Sequence, residues 1–221
     1  MPDIPIIVPF LVALAVCMLL GLFNGTVIAK FAIPPFIVTL GTQVIAWGVN
    51  LLYFDLPPNS SQPIGGVKKS ITYMGSGLLG GKVPVIILIA LAVTLAVWFI
   101  LKKLRFGRNV YAVGGNAEAA NVSGIKVTAT LIGVYGIAGL LYGLAGFLSA
   151  RGPARLLYGL NRDDAIASCV VGGVSNTGGI GTVPGMVVNV LIFVSIWTHL
   201  HRRQPVRRDY QGHHHYRGGR L

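Results

Sequence analysis

Apolar runs long enough to cross a bilayer alternate along this chain with short polar stretches. A helix needs roughly 20 apolar residues to span hydrocarbon, and Ile6 to Ala29, Pro34 to Phe54, Val83 to Leu101 and Thr130 to Ala150 each meet that length. Val183 to Trp197 begins a fifth span that ends early, and Ala165 to Gly173 is apolar but too short to span alone, so it predicts a re-entrant or broken helix. The pattern therefore predicts an all-α, polytopic membrane bundle of about five spanning helices plus one short segment. Small residues mark the packing faces. Gly21 and Gly25 lie four apart in the first span, and Gly133, Gly136, Gly139, Gly143 and Gly146 recur at helical spacing in the fourth. That spacing lets helices approach closely. Pro34 and Pro35 fit the first turn of the second span, where no donor is lost. Asp55 to Lys82 reads as a polar loop outside the membrane.

Composition agrees with the pattern. Of 221 residues, 53% are hydrophobic and 11% charged, against roughly 25% charged in an ordinary soluble domain. The net charge of +12 is clustered and does not call for nucleic acid: six arginines fall in the last twenty residues, and Lys102, Lys103, Arg105 and Arg108 follow an apolar run. Cys17 and Cys169 each sit within an apolar stretch, which argues against a disulfide framework. The N-terminus has no positive region and too long an apolar run for a signal peptide. Lysine and arginine bias places Lys102 to Lys126 in the cytoplasm and, by alternation, Asp55 to Lys82 and the start of the chain outside. Arg151, Arg155 and Arg162 then fall outside as well, against the trend.

No Walker lysine motif, metal-spaced His/Cys set or nucleophile–base pair stands in the membrane portion, so neither an enzyme nor a bound metal or cofactor is expected. In the second span Thr39, Gln43, Ala46 and Asn50 share a face, which fits either a path for a polar solute or hydrogen bonding to neighbouring helices. Asp163-Asp164 is the one adjacent acidic pair; Asp164 is a candidate path residue, and a helix N-cap is the alternative. In the cytoplasmic loop Asn116 is a good N-cap, Glu118 lies in the first turn, Ala119 and Ala120 favour helix, and Ser123-Gly124 stops it. A short capped helix is predicted there, either a connector or a docking element.

Three stretches carry a family resemblance. The loop Gly107-Arg-Asn-Val-Tyr-Ala-Val-Gly-Gly-Asn-Ala-Glu-Ala-Ala-Asn-Val-Ser-Gly-Ile125 resembles the cytoplasmic loop of the ribose/galactose/xylose class of ABC importer permeases. So do Pro35-Phe-Ile-Val-Thr-Leu-Gly-Thr42 and Asp164-Ala-Ile-Ala-Ser-Cys-Val-Val-Gly-Gly-Val-Ser-Asn-Thr-Gly-Gly-Ile-Gly-Thr182, the latter continuing through Pro184-Gly185. The resemblance implies a multi-pass permease of the bacterial inner membrane. Its implied partners are membrane lipid, a second permease copy, ABC ATPase subunits and a periplasmic sugar-binding protein. It also implies a coupling role for Glu118, Ala119, Ala120 and Gly124, with Asn116 and Ile125 beside them. A transporter or channel without an ATPase, and an inactive permease fragment, are the rival readings.

The likeness lapses at both ends. Family members carry further spans before the one that begins near Ile6, so Met1 reads as an internal start, and the linker from Arg151 to Arg162 looks shorter or altered. Residues 1–197 read as a partial permease domain and 198–221 as a basic tail rich in histidine and arginine. With permitted codons, a one-base shift near Phe193 turns His201–Val206 into Ile-Gly-Val-Asn-Pro-Tyr, and Tyr210–Arg220 into an apolar run. Both resemble the family's C-terminus, so the tail is read as a shifted frame. A genuine basic, histidine-rich surface segment able to bind metal, or an artefact, are the alternatives, and as written its arginines belong outside hydrocarbon.

Overall fold

A computed structural model of the chain describes residues 7–57, 77–79, 83–149, 162–175 and 178–202. Helices dominate: α1 (Ile7–Phe31), α2 (Pro35–Asp55), α3 (Val85–Lys103), α4 (Arg105–Gly115), α5 (Ala117–Val122), α6 (Val127–Ser149), α7 (Arg162–Val171) and α8 (Val183–Arg202). Leu78–Leu79 and Val83–Pro84 add a two-residue antiparallel ladder ahead of α3. Four of the helices (α1, α2, α3 and α6) are long and apolar enough to cross a membrane, and the apolar part of α8, Val183–Ile196, is shorter. The all-α polytopic bundle expected from the pattern is what is observed. The linker at 150–161, most of the loop between α2 and α3, and the tail beyond Arg202 lie outside the described residues.

The packing centre is a seam between α1 and α6. The two run antiparallel, so Ala13, Cys17, Gly21 and Gly25, spaced four apart, meet Gly143, Gly139, Tyr135 and Ile132 in reverse order. Backbones touch here. A Cβ on Gly143 would lie 2.9 Å from the Ala13 carbonyl oxygen, and one on Gly25 2.9 Å from Ile132 Cα. Without water in the bilayer core, helices associate through such close van der Waals contact. At one end of the seam the Phe10 and Phe147 rings meet edge to face, 5.1 Å apart. The glycine stripe of α6 is not uniform: Gly133 accommodates the Phe106 ring of α4, and Gly146 faces open space.

α1 gives way to α2 through Ala32, whose backbone is left-handed at φ 51°, after which Pro34 caps and Pro35 begins the next helix. The Thr42 hydroxyl donates to Asn24 Oδ1 at 2.6 Å and ties α2 to α1. α2 and α3 have no buried residue. Leu52, Val44 and Trp47 on α2 and Ile87 and Leu91 on α3 are all exposed. Their apolar surfaces suit lipid or further spans.

α7 has ten residues, about 15 Å of helix, or half the hydrocarbon thickness. It is the short segment anticipated at Ala165 to Gly173, begun three residues earlier. A Schellman turn ends it: Gly173 (φ 84°) donates to the Val170 carbonyl at 3.0 Å and Val174 to that of Cys169 at 3.2 Å. α8 returns alongside, with the Asn189 side-chain amide donating to the Ser168 carbonyl.

Candidate functional site

The segment between α3 and α6 forms two helices, where the sequence pattern predicts one. α4 escaped because its apolar positions are few, yet Phe106, Val110 and Val113 recur at i, i+4 and i+7, and Val113 is buried. Phe106 packs into the notch left by Gly133, which fixes α4 to α6. Asn116 then breaks the helix with an extended backbone (φ −156°). Its N–H donates to the Ala112 carbonyl at 3.0 Å, and its side-chain oxygen accepts from the Ala119 N–H at 2.9 Å. One residue thus ends α4 and caps α5, as its type predicts.

The far end of α5 is closed as firmly. Gly124 is left-handed at φ 81°. Its N–H donates to the Asn121 carbonyl at 3.0 Å and that of Ile125 to the Ala120 carbonyl at 3.0 Å, a complete Schellman motif. The Ser123 hydroxyl adds a bond to the Ala119 carbonyl at 2.8 Å. Asn116, Glu118, Ala119, Ala120, Gly124 and Ile125 therefore belong to one capped unit. Their exposures divide them. Ala120 is 4% exposed and seats α5 against its own chain, whereas Glu118 and Ala119 face outward. Val122, one turn from Glu118 on the same face, is 90% exposed. An apolar side chain so fully open on a six-residue helix has no role in this chain's own packing.

The most informative contact joins the two motifs of the sequence. The loop after α7 carries Gly178 (φ 97°) and Gly179 (φ 72°), and their backbone lies directly on Gly114 and Gly115 at the end of α4. A Cβ on Gly114 would be 2.5 Å from the Gly179 nitrogen, and one on Gly179 2.7 Å from Gly115 Cα. Gly114, Gly178 and Gly179 are required for this approach, whereas a Cβ on Gly115 would meet open space. The Tyr111 hydroxyl donates to the Gly181 carbonyl at 2.9 Å across the same junction, and Ser175 N–H donates to the Ile180 carbonyl at 3.0 Å, closing the loop. Thr182 then caps α8 through its hydroxyl, which accepts from Gly185 N–H at 3.3 Å. Tyr111, Gly114, Gly115, Gly178 and Gly179 are the residues that sequence reasoning did not single out. The two Gly-Gly pairs were the available signal, though nothing in a linear chain says that they face each other.

The candidate path residues lie elsewhere. Thr39 donates to the Pro35 carbonyl of its own helix at 2.9 Å, and Gln43 and Asn50 are on the uncovered side of α2. Asp164 falls in the first turn of α7, and its side chain is outside the described residues. Among the described residues no three His, Cys, Asp or Glu side chains group to hold a metal.

The arrangement defines a class: a polytopic helical membrane protein in which a short helix capped at both ends follows one whose last turn is fastened by backbone contact to the loop after a half-length helix. Residues 2–200 match the family model described as branched-chain amino acid transport system / permease component, and the chain belongs to that family. That family is one of transport-system permease components, and four of the described helices are long and apolar enough to cross a membrane. Over 205 residues it is 42% identical to the galactose/methyl galactoside import permease protein of Haemophilus influenzae, covering 89% of this chain and 60% of the relative. The ribose import permease protein of Bacillus subtilis is 41% identical (76% of this chain, 52% of the relative). The D-allose transport system permease protein of Escherichia coli is 37% identical (80% and 53%). The chain thus spans about three-fifths or less of the length of these relatives. No solved structure matches it.

Proposed function

We propose that the chain is the permease part of an ATP-driven monosaccharide importer of the galactose/ribose kind, and that α5 is where an ABC ATPase subunit seats. The observation that carries the reading is the outward face of α5, Glu118, Ala119 and the 90% exposed Val122, on a helix capped at both ends. A small, rigid, partly apolar knob with one carboxylate suits a cleft in a soluble partner. Ala120, Gly124 and Ile125 hold that knob in place, and Asn116 orients it.

In mechanism, a push on α5 passes through Asn116 into α4. It leaves α4 by the Gly114-Gly115 contact with Gly178-Gly179, and so reaches α7 and α8 together. Rigid-body movement of a broken helix against its neighbours is a known way to alternate access. Thr39, Gln43 and Asn50 of α2 and Asp164 of α7 are the polar positions assigned to the path. A second permease copy covers the open faces of α2 and α3, a periplasmic binding protein delivers the sugar, and lipid surrounds the rest. Relatives named as galactose, ribose and allose permeases support the substrate class.

The test is uptake of labelled galactose and ribose by cells that lack their own permease but retain the ATPase and binding protein. Uptake above background that is lost on Glu118→Lys supports the proposal. Background uptake from a chain demonstrated in the membrane overturns it.

A further inference from the structure

The end of α3 carries four cations that the coupling scheme does not use. Lys102 and Lys103 close α3, a single extended residue, Leu104, turns the chain, and Arg105 and Arg108 lie on the first turn of α4. The turn is tight. A Cβ on Gly107 would overlap the backbone of Leu101, so the start of α4 folds back onto the last turn of α3. This brings the two pairs of cations together at one level, where the apolar span ends. The inward positions of α4 are taken by Phe106 against Gly133 and by buried Val113. Arg105 and Arg108, three residues apart, are left on the open side, and all four cationic side chains are exposed. Glu118, in α5, is the lone carboxylate between Lys102 and Lys126. Lys102 Nζ stands 5.1 Å from the centroid of the Trp98 ring, so a half-buried tryptophan and a lysine mark the same depth, as anchors at a bilayer interface do.

We propose that Lys102, Lys103, Arg105 and Arg108 form a cradle for the phosphate headgroup of an anionic phospholipid of the inner leaflet, with Trp98 against its glycerol and upper acyl region. Charge complementarity selects the occupant. Four cations at the membrane surface attract anionic headgroups and leave zwitterionic ones without net preference. Leu104, 42% exposed at the turn, presents an apolar edge to the acyl chains. The cradle sits at the foot of α4, one helix away from α5, so a bound lipid would steady the base from which α5 projects. The proposal rests on the membrane placement of α3 and not on sugar transport.

Trp98 supplies the readout. In a Trp47→Phe/Trp197→Phe variant reconstituted into bilayers, its fluorescence reports brominated lipids within contact distance. Brominated phosphatidylglycerol is expected to quench it about threefold more effectively than brominated phosphatidylcholine at equal mole fraction. The preference should fall to about one when all four cations are changed to Gln, and survive Lys102→Arg/Lys103→Arg/Arg105→Lys/Arg108→Lys. Should the Gln variant fail to insert, raising salt on the intact protein must also shrink the preference. Equal quenching by the two lipids would overturn the cradle while leaving α3 in the membrane. Quenching by neither would remove the membrane placement itself.

Discussion

Substituting Gly139 by Ala tests the seam on which the fold turns. The added methyl would lie 3.0 Å from Met18 Cα and overlap the Cys17 carbonyl oxygen. Both obstacles are backbone, so no side chain can swing aside. Restoring an ordinary carbon–carbon separation of about 3.5 Å requires α1 and α6 to part by about 0.5 Å or more along their contact. Overpacking of this kind costs about 1–3 kcal/mol, offset by up to about 1 kcal/mol because Ala is the better helix former. Gly146→Ala on the same helix supplies the control, since a Cβ there meets nothing within 4 Å. The helix-propensity gain is common to both, so their difference isolates the seam. Unfolding in mixed detergent–SDS micelles, followed by circular dichroism, should place Gly139→Ala about 1–3 kcal/mol below Gly146→Ala. A Gly21→Ala change, whose Cβ would sit 3.1 Å from Gly139 Cα, should cost less in the Gly139→Ala background than alone, because the helices have already separated. Equal stabilities for Gly139→Ala and Gly146→Ala would refute the reasoning.

Two further outcomes follow from the loop. Asn116→Ala removes the acceptor for the Ala119 N–H and should cost about 1 kcal/mol locally, seen as faster hydrogen exchange at Ala119 and Ala120 with no change in the spans. Tyr111→Phe deletes the bond to the Gly181 carbonyl, and a loss of about 1 kcal/mol should speed exchange of the Ser175 amide about fivefold while leaving α5 protected.

Much of this structure was legible in the sequence because membrane physics writes it in long strokes. Spans follow from length and hydropathy, and the boundaries agree to within about three residues at most ends. The glycine periodicities of the first and fourth spans announced close packing, and Gly21 and Gly25 of one helix and Gly139 and Gly143 of the other prove to lie on the same seam. Asn116 and Gly124 declared their caps, since an Asn before a helix and a Gly after it satisfy backbone groups locally. What escaped depends on tertiary placement. α4 is short and its apolar face is defined by what lies under it, Gly133 and the end of α3. The meeting of Gly114-Gly115 with Gly178-Gly179 joins positions more than sixty residues apart. Ala120 resembles Ala119 in every local respect, yet only one of them is buried.

The central claim is that α5 presents Glu118 and Val122 to an ABC ATPase. A photo-crosslinking amino acid in place of Val122, in membranes that also contain the ATPase subunit of a galactose import system, examines it directly. The account predicts a covalent product of this chain with that ATPase, weakened by Glu118→Lys and absent when the crosslinker replaces Leu91 in the middle of α3. A correctly inserted chain that yields no ATPase product from position 122 or from position 119 would contradict it.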